Sequence, residues 1–302
     1  MPVLQPKSSK QAVVDALQEI KLRKEGLIQG IKTPWVKLNT LLGGFQQGWA
    51  YMLAASSGCG KTTVLNIIES ALFDVNKEKI LLLCWNLEVS STMTIIKKLS
   101  GDLGIEVDKI MSFETPLSDS DFAKVSKGIA RYESHMIRYF DDSCNVQDIE
   151  DTIDHYYQVA KGYKIFVMLD HTLLVEKQKE KDNNELVANI GKMTIRSKKR
   201  TNCTFLFLGQ LNGNQEKIDR LQNPNFHAPI KDDLYGGKEI WHAIDCASIL
   251  VRPDLLNLES YTAAMLPCVD KMYWHIIKNR FGKLGYISFD TSKIGINKLI
   301  EL

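Results

Sequence analysis

From Trp49 onward, short apolar runs rich in β-branched and aromatic residues alternate with longer stretches of helical periodicity. A mostly parallel sheet covered by helices leaves this pattern in a sequence. The runs predict strands at 51–55, 80–85, 136–140, 165–169, 204–208, 247–251, 273–278 and 286–289. The first five read as a wound α/β core and the last two as a β-hairpin around 281–285. Ahead of them, residues 10–28 carry Val13, Val14, Leu17, Ile20 and Leu27 at roughly helical spacing, with Lys, Arg and Glu between and Gly26 and Gly30 at the end. That spacing predicts an amphipathic helix outside the main domain. The expected division is a helical arm over 1–32 and one α/β domain over 33–302. The arm either folds back on its own domain or packs on a neighbouring subunit, and the sequence leaves both open.

Composition narrows the class. Of 302 residues, 44% are hydrophobic and 25% charged, average values for a globular protein that exclude disorder, collagen and coiled coil as whole-chain descriptions. The apolar run at 80–87 is far short of the roughly 20 residues that span a bilayer. The start MPVLQPKSSK has no apolar signal core, so neither a membrane span nor secretion is expected. The six cysteines form no CxxC and no short Cys/His cluster, which argues against zinc or a disulfide framework and for reduced thiols in a cytoplasm. With a net charge of +2, any binding of a nucleic-acid backbone has to come from local clusters.

The chemistry begins at the end of the first core strand. Ala55-Ser56-Ser57-Gly58-Cys59-Gly60-Lys61-Thr62, followed by the helix-like stretch from Thr63, is a Walker A arrangement of strand, loop and helix. Small residues let successive backbone N–H groups turn toward a phosphate, and the helix N-terminus adds positive potential. Lys61 is placed for the β/γ-phosphates of ATP and the Thr62 hydroxyl for Mg²⁺. Ala55 stands where the pattern has its first glycine. Ile165–Leu169 runs into Asp170-His171, which places a metal-holding carboxylate at a strand's carboxyl end as a Walker B acid. Glu88 follows another apolar strand in the same way, where it could orient and deprotonate the attacking water.

Taken together, residues 28–293 resemble the RecA-like motor domain of replicative hexameric DNA helicases, the DnaB type and the related phage primase-helicases and mitochondrial helicases. Gly30-Ile-Lys-Thr-Pro-Trp-Val-Lys-Leu-Asn-Thr-Leu-Leu-Gly-Gly-Phe-Gln-Gln-Gly48 resembles the family's lead-in to Walker A, and Leu87-Glu88 its catalytic glutamate motif. Tyr139-Phe140-Asp141-Asp142, Leu169-Asp170-His171 and Leu208-Gly209-Gln210-Leu211-Asn212 resemble further family strand ends. Lys278-Asn279-Arg280-Phe281-Gly282 resembles the KxRxG element. Asp233-Leu234-Tyr235-Gly236-Gly237 resembles the DLRxSG element, with Tyr235 in the usual arginine position.

The resemblance implies an α/β RecA-like P-loop NTPase fold and an ATP hydrolase coupled to DNA unwinding. It implies a homo-hexameric ring with ATP sites between subunits, moving 5′ to 3′ on single-stranded DNA at a forked duplex. Ser56 to Thr63 would hold ATP, Thr62 and Asp170 the Mg²⁺, and Glu88 would activate water. Gln210 would sense the γ-phosphate, while Lys278 and Arg280 would enter the neighbouring subunit's site. The polar segments 177–185 and 213–231 resemble pore loops, in which Lys177, Lys179, Lys181, Lys217, Arg220 and Lys231 could meet DNA phosphates. A separate primase or loader is the implied partner. Two other readings stay open: a RecA- or clock-type ring ATPase without unwinding, and a catalytically weak helicase-like structural or loading partner.

Overall fold

The structure, a computed structural model, describes residues 6–235 and 240–302. Its centre is one nine-stranded sheet ordered β3-β2-β4-β5-β1-β6-β7-β8-β9. The strands are β1 (Ala50–Ala55), β2 (Ile80–Asn86), β3 (Ile137–Phe140), β4 (Lys164–Asp170), β5 (Thr204–Gln210), β6 (Cys246–Val251), β7 (Lys271–Asn279), β8 (Gly285–Asp290) and β9 (Ile300–Glu301). The six from β3 to β6 run parallel and the last three antiparallel. This is the expected α/β sheet with its C-terminal hairpin, extended by one further strand.

The helices are α1 (Ser9–Lys24), α2 (Val36–Leu42), α3 (Lys61–Asp74), α4 (Ser91–Leu103), α5 (Val107–Ile110), α6 (Asp119–Glu133), α7 (Val146–Val159), α8 (Asn183–Thr201) and α9 (Ile218–Leu221). Side chains alternate across the sheet. Met52, Leu83, Leu169 and Phe207 face Ile149 and Ile153 of α7 and Leu186 and Ile190 of α8. Leu53, Leu82, Met168 and Leu208 face Leu38 of α2 and Val64, Ile68 and Leu72 of α3. Both faces are therefore covered, which is why these strands read as unbroken apolar runs. Leu99 of α4 and Val125 of α6 form a smaller cluster beside the sheet.

The short β9 has no apolar run of its own and is fixed by contacts from the far end of the chain. The Glu301 carboxylate accepts the backbone N–H groups of Lys37 and Leu38 at 2.9 Å each, capping α2, whose own N-cap residue Trp35 supplies no side-chain bond. Helix α1 buries none of its residues; Val13, Leu17 and Ile20 are each about 60% exposed. Its visible tie to the domain is Arg23, which donates to Gln46 at 2.9 Å. Among the described residues no helix is long and apolar enough to cross a membrane.

The antiparallel end of the sheet carries a buried histidine. His275 of β7 has its Nε2 2.8 Å from the Tyr261 hydroxyl, and burial pushes its pKa down to about 4. An unfolded chain protonates this ring near 6.5 and the native one only near 4, so the native state loses stability as pH falls through that window. The loss approaches about 3 kcal/mol. Urea unfolding of wild type and His275→Gln at pH 7 and pH 5 tests it, since the variant is expected to show the shallower decline; equal declines would remove His275 from the account.

Candidate active site

The carboxyl edge of the parallel strands gathers the predicted chemistry. β1 ends at Ala55, which has ordinary strand backbone and pairs with Gln210 on one side and Leu250 on the other. The position therefore does not need glycine's freedom, and the departure from the motif costs nothing in conformation. The left-handed turns come later, at Gly58 (φ 75°) and Gly60 (φ 101°), the second being the N-cap of α3. No side chain caps that N-terminus, so its first N–H groups are free to bind an anion. Lys61 lies across the loop and donates to the Ala55 carbonyl at 3.0 Å.

A cavity of about 410 Å³ opens above the loop. Ser56, Ser57, Gly58, Gly60, Lys61, Thr62 and Thr63 line it on one side, with Glu88, Lys97 and Gln210 across from them. Cys59 turns away into the core, where burial pushes its thiol up to about 12 and keeps it protonated.

The two acids stand on adjacent strand ends. Asn86 of β2 pairs with Asp170 of β4, and the Leu87 N–H donates to the Asp170 carbonyl at 2.9 Å, which launches Glu88 into the cavity. Asp170 is buried, and one of its carboxylate oxygens, Oδ1, has no hydrogen-bond partner among the described residues. Burial, and then the charge of Glu88, raise its pKa to about 6, opposed by Lys61 and Lys97. Burial likewise lowers the pKa of Lys61, with Asp170 and Glu88 pulling it back up. An unsatisfied carboxylate oxygen near the lysine, together with the Thr62 hydroxyl in the cavity wall, is a donor set that suits a hard divalent cation.

Gln210 ends β5 with its side chain exposed to the cavity and its amide nitrogen 3.1 Å from His171 Nε2. Lys97 went unseen in the sequence because a lysine on a helix carries no periodic or motif signal. Its neighbour Lys98 is buried, pairs with Glu69 of α3 and donates to the Tyr139 hydroxyl at 3.2 Å. That anchorage fixes α4 with Lys97 turned toward the cavity.

Lys278 and Arg280 sit at the other edge of the same sheet. The Arg280 N–H donates to the Asp245 carbonyl and the Asp245 N–H to that of Ala50, so Arg280 lies level with the start of β1. The phosphate loop begins after Ala55, roughly 16 Å further along the strand direction. Arg280 is also tethered, with Nη1 2.9 Å from Asp245 Oδ1, and does not touch its own subunit's cavity. Lys278 donates to the Ile244 carbonyl at 2.6 Å over the Trp241 ring, and burial lowers its pKa to about 8.

The polar segments after β4 and β5 lie beyond the same carboxyl edge as the cavity. Lys177, Lys179, Lys181 and Lys217 are exposed, while Lys231 lies over the Trp241 ring, 5.1 Å from its centroid. Arg220 is different: its guanidinium pairs with Asp233 and donates to the Phe226 and Ala228 carbonyls, so it holds its loop in shape. Tyr235 is exposed and its N–H donates to the Gln210 carbonyl at 3.0 Å; Gly236 and Gly237 lie outside the described residues.

With this geometry, comparison with known proteins is direct. Residues 30–294 match the family described as the DnaB-like helicase C terminal domain. The chain is 23% identical over 304 residues to the replicative DNA helicase DnaB of Geobacillus stearothermophilus, covering 98% of this chain and 62% of that protein. It is 21% identical over 292 residues to the replicative DNA helicase DnaC of Bacillus subtilis (strain 168), covering 95% and 60%. The chain thus spans about three fifths of the length of the curated relatives it matches. Among solved structures, one described as an ATPase domain superposes with a TM-score of 0.82 at 19% identity, over 99% of this chain and all of that one. A DnaB-like replicative helicase, described with its interactions with primase, gives 0.80 at 20% identity over 99% of this chain and 68% of that one. A KaiC-like protein of Pyrococcus horikoshii shares the fold at 0.56 and 14% identity over 91% and 99%. The phosphate loop, the two strand-end acids and the family match over most of the chain agree, and this protein belongs to the DnaB-like helicase family through its RecA-like C-terminal domain.

Proposed function

We propose that the chain is the motor of an ATP-driven replicative DNA helicase, working as a ring, six-membered as the family resemblance implies, with its ATP sites between neighbours. One observation carries the reading: Lys61, Glu88, Asp170 and Gln210 gather at one edge of the sheet, while Arg280 stands at the other, beyond reach of them. A cavity short of its arginine and an arginine short of a cavity complete each other when copies stack head to tail.

In this mechanism the loop N–H groups and Lys61 bind the ATP phosphates, and Glu88 takes the proton from the attacking water. Arg280 of the next copy, with Lys278 beside it, steadies the charge that develops on the γ-phosphate. Thr62 and Asp170 would hold Mg²⁺, which when bound supplies Lewis-acid stabilisation of the same charge. Gln210 meets the terminal phosphate and, through the chain that follows it, biases the loops. Lys177, Lys179, Lys181, Lys217 and Lys231 contact the backbone of single-stranded DNA, with Arg220 shaping the second loop.

Helix α1 is the ring's fastener in this reading. Its bare apolar face has no partner among the described residues of its own domain, and α4, α5 and α6 form an apolar groove of about 370 Å³ lined by Ile95, Ile96, Leu99, Ile110, Val125 and Ile129. We assign that groove to α1 of the adjacent copy. A separate primase or loader is the expected further partner.

Strand displacement on a forked duplex tests the reading. Unwinding is expected with ATP and a 5′ tail and not with a 3′ tail alone, and a chain lacking residues 6–28 is expected to elute as a monomer and not unwind. ATPase activity stimulated by DNA with no unwinding of either substrate would favour a ring ATPase of the RecA or clock type.

A further inference from the structure

We propose that His171 is a positioning residue: it sets which way round the terminal amide of Gln210 faces, holding the amide oxygen and turning the NH₂ group into the nucleotide cavity. The inference rests on the reading of Gln210 as the group that meets the terminal phosphate.

His171 directly follows Asp170, yet its ring is directed to neither the cavity wall nor solvent; the residue is 5% exposed. Its Nδ1 accepts the Leu173 N–H at 3.3 Å and so caps the one-turn helix Thr172–Leu174. A ring nitrogen that accepts an N–H carries no hydrogen, so the ring proton resides on Nε2. Nε2 lies 3.1 Å from the Gln210 amide nitrogen, which sets two donors face to face unless the amide is turned over. An N–H there needs an acceptor, and the amide has only one to offer, its oxygen. The two ends of a glutamine amide differ by a half-turn and are told apart by their partners. With the oxygen on His171, both amide hydrogens are left for the cavity that Gln210 lines.

The consequence for a nucleotide is specific. Phosphate oxygens accept hydrogen bonds and donate none, so an amide presented NH₂-first attracts the terminal phosphate and one presented oxygen-first repels it. β4 and β5 pair directly, with Leu169 opposite Phe207, so the strand ends that carry the two side chains are neighbours. The ring spans the gap between them. His171 also begins the path to the segment 177–185 and Gln210 the path to 213–231, so this one bond ties the roots of both candidate DNA loops.

The test is equilibrium binding of two nucleotides, ADP and a non-hydrolysable ATP analogue with Mg²⁺, to the full chain. His171→Leu keeps the bulk and removes the N–H; it is expected to weaken the analogue about tenfold and to leave ADP within about twofold. His171→Gln, whose amide can again donate to the Gln210 oxygen, is expected to restore discrimination. The double variant with Gln210→Ala should be no weaker than Gln210→Ala alone. His171→Leu binding both nucleotides like wild type, or losing both equally, would overturn the inference and leave the ATPase reading standing. Should His171→Leu melt, Gln210→Glu reads the same geometry, because it keeps an acceptor for His171 but presents no donor. It is expected to lose the analogue by more than about tenfold, and wild-type binding by this variant would also overturn the inference. A wild-type chain that binds neither nucleotide overturns the ATPase reading and this inference together.

Discussion

Glu88→Gln is expected to lower ATP turnover by roughly 10²–10⁴-fold while nucleotide binding stays near wild type. The residue is two positions past the strand end that pairs with Asp170, held there by the bond from Leu87 and exposed to the cavity. Nothing in the core depends on it, and the glutamine is isosteric, so the fold and the phosphate loop should be untouched. What is lost is a group that can accept a proton from water. Lys61→Ala should behave differently, losing binding and turnover together, because Lys61 lies across the loop proposed to grip the phosphates. Turnover by Glu88→Gln within a fewfold of wild type would move the base to another residue.

Arg280→Ala is expected to lose about 10³–10⁵-fold in turnover, and mixing it with Glu88→Gln should bring part of the activity back. Each variant is inactive alone for a different reason: one has intact cavities and no arginine to offer, the other an intact arginine and no base. In mixed rings assembled at equal ratio, a site works when its own subunit is Arg280→Ala and the neighbour is Glu88→Gln. That combination restores about a quarter of the wild-type rate in random rings. Because Arg280 is bonded to Asp245 at the opposite edge of the sheet, an arginine acting within one subunit would give no recovery. Absence of recovery in rings shown to be mixed would defeat the shared-site mechanism.

Much of this architecture is written locally. The core strands are legible because both sheet faces are covered, which forces continuous apolar runs, and strand ends such as Asp170 and Gln210 stand out as the first polar residues after them. What depends on pairing between distant residues is not legible. β9 exists because Glu301 caps a helix more than 260 positions earlier. Lys97 reaches the cavity because its neighbour is pinned to Glu69 and Tyr139. Arg220 looks like a free cation in the sequence and becomes a loop clamp only when folding brings Asp233 to it. The sequence could not choose between the two fates of the arm either, since an apolar helical stripe states that a surface will be covered without stating by whom.

The cavity and the arginine stand on opposite edges of one sheet, so in the proposed ring every copy is polar, with a head that accepts and a tail that donates. Surfaces that differ in this way build rows, and a row closes into a ring or stays open according to the rotation between copies. On the proposed shared-site reading, an open row would leave one cavity facing solvent, and the count of complete sites would be one fewer than the count of subunits. On the same reading a gap, such as one that admits a DNA strand, would carry its own chemical signature: one silent position that closing the ring switches on.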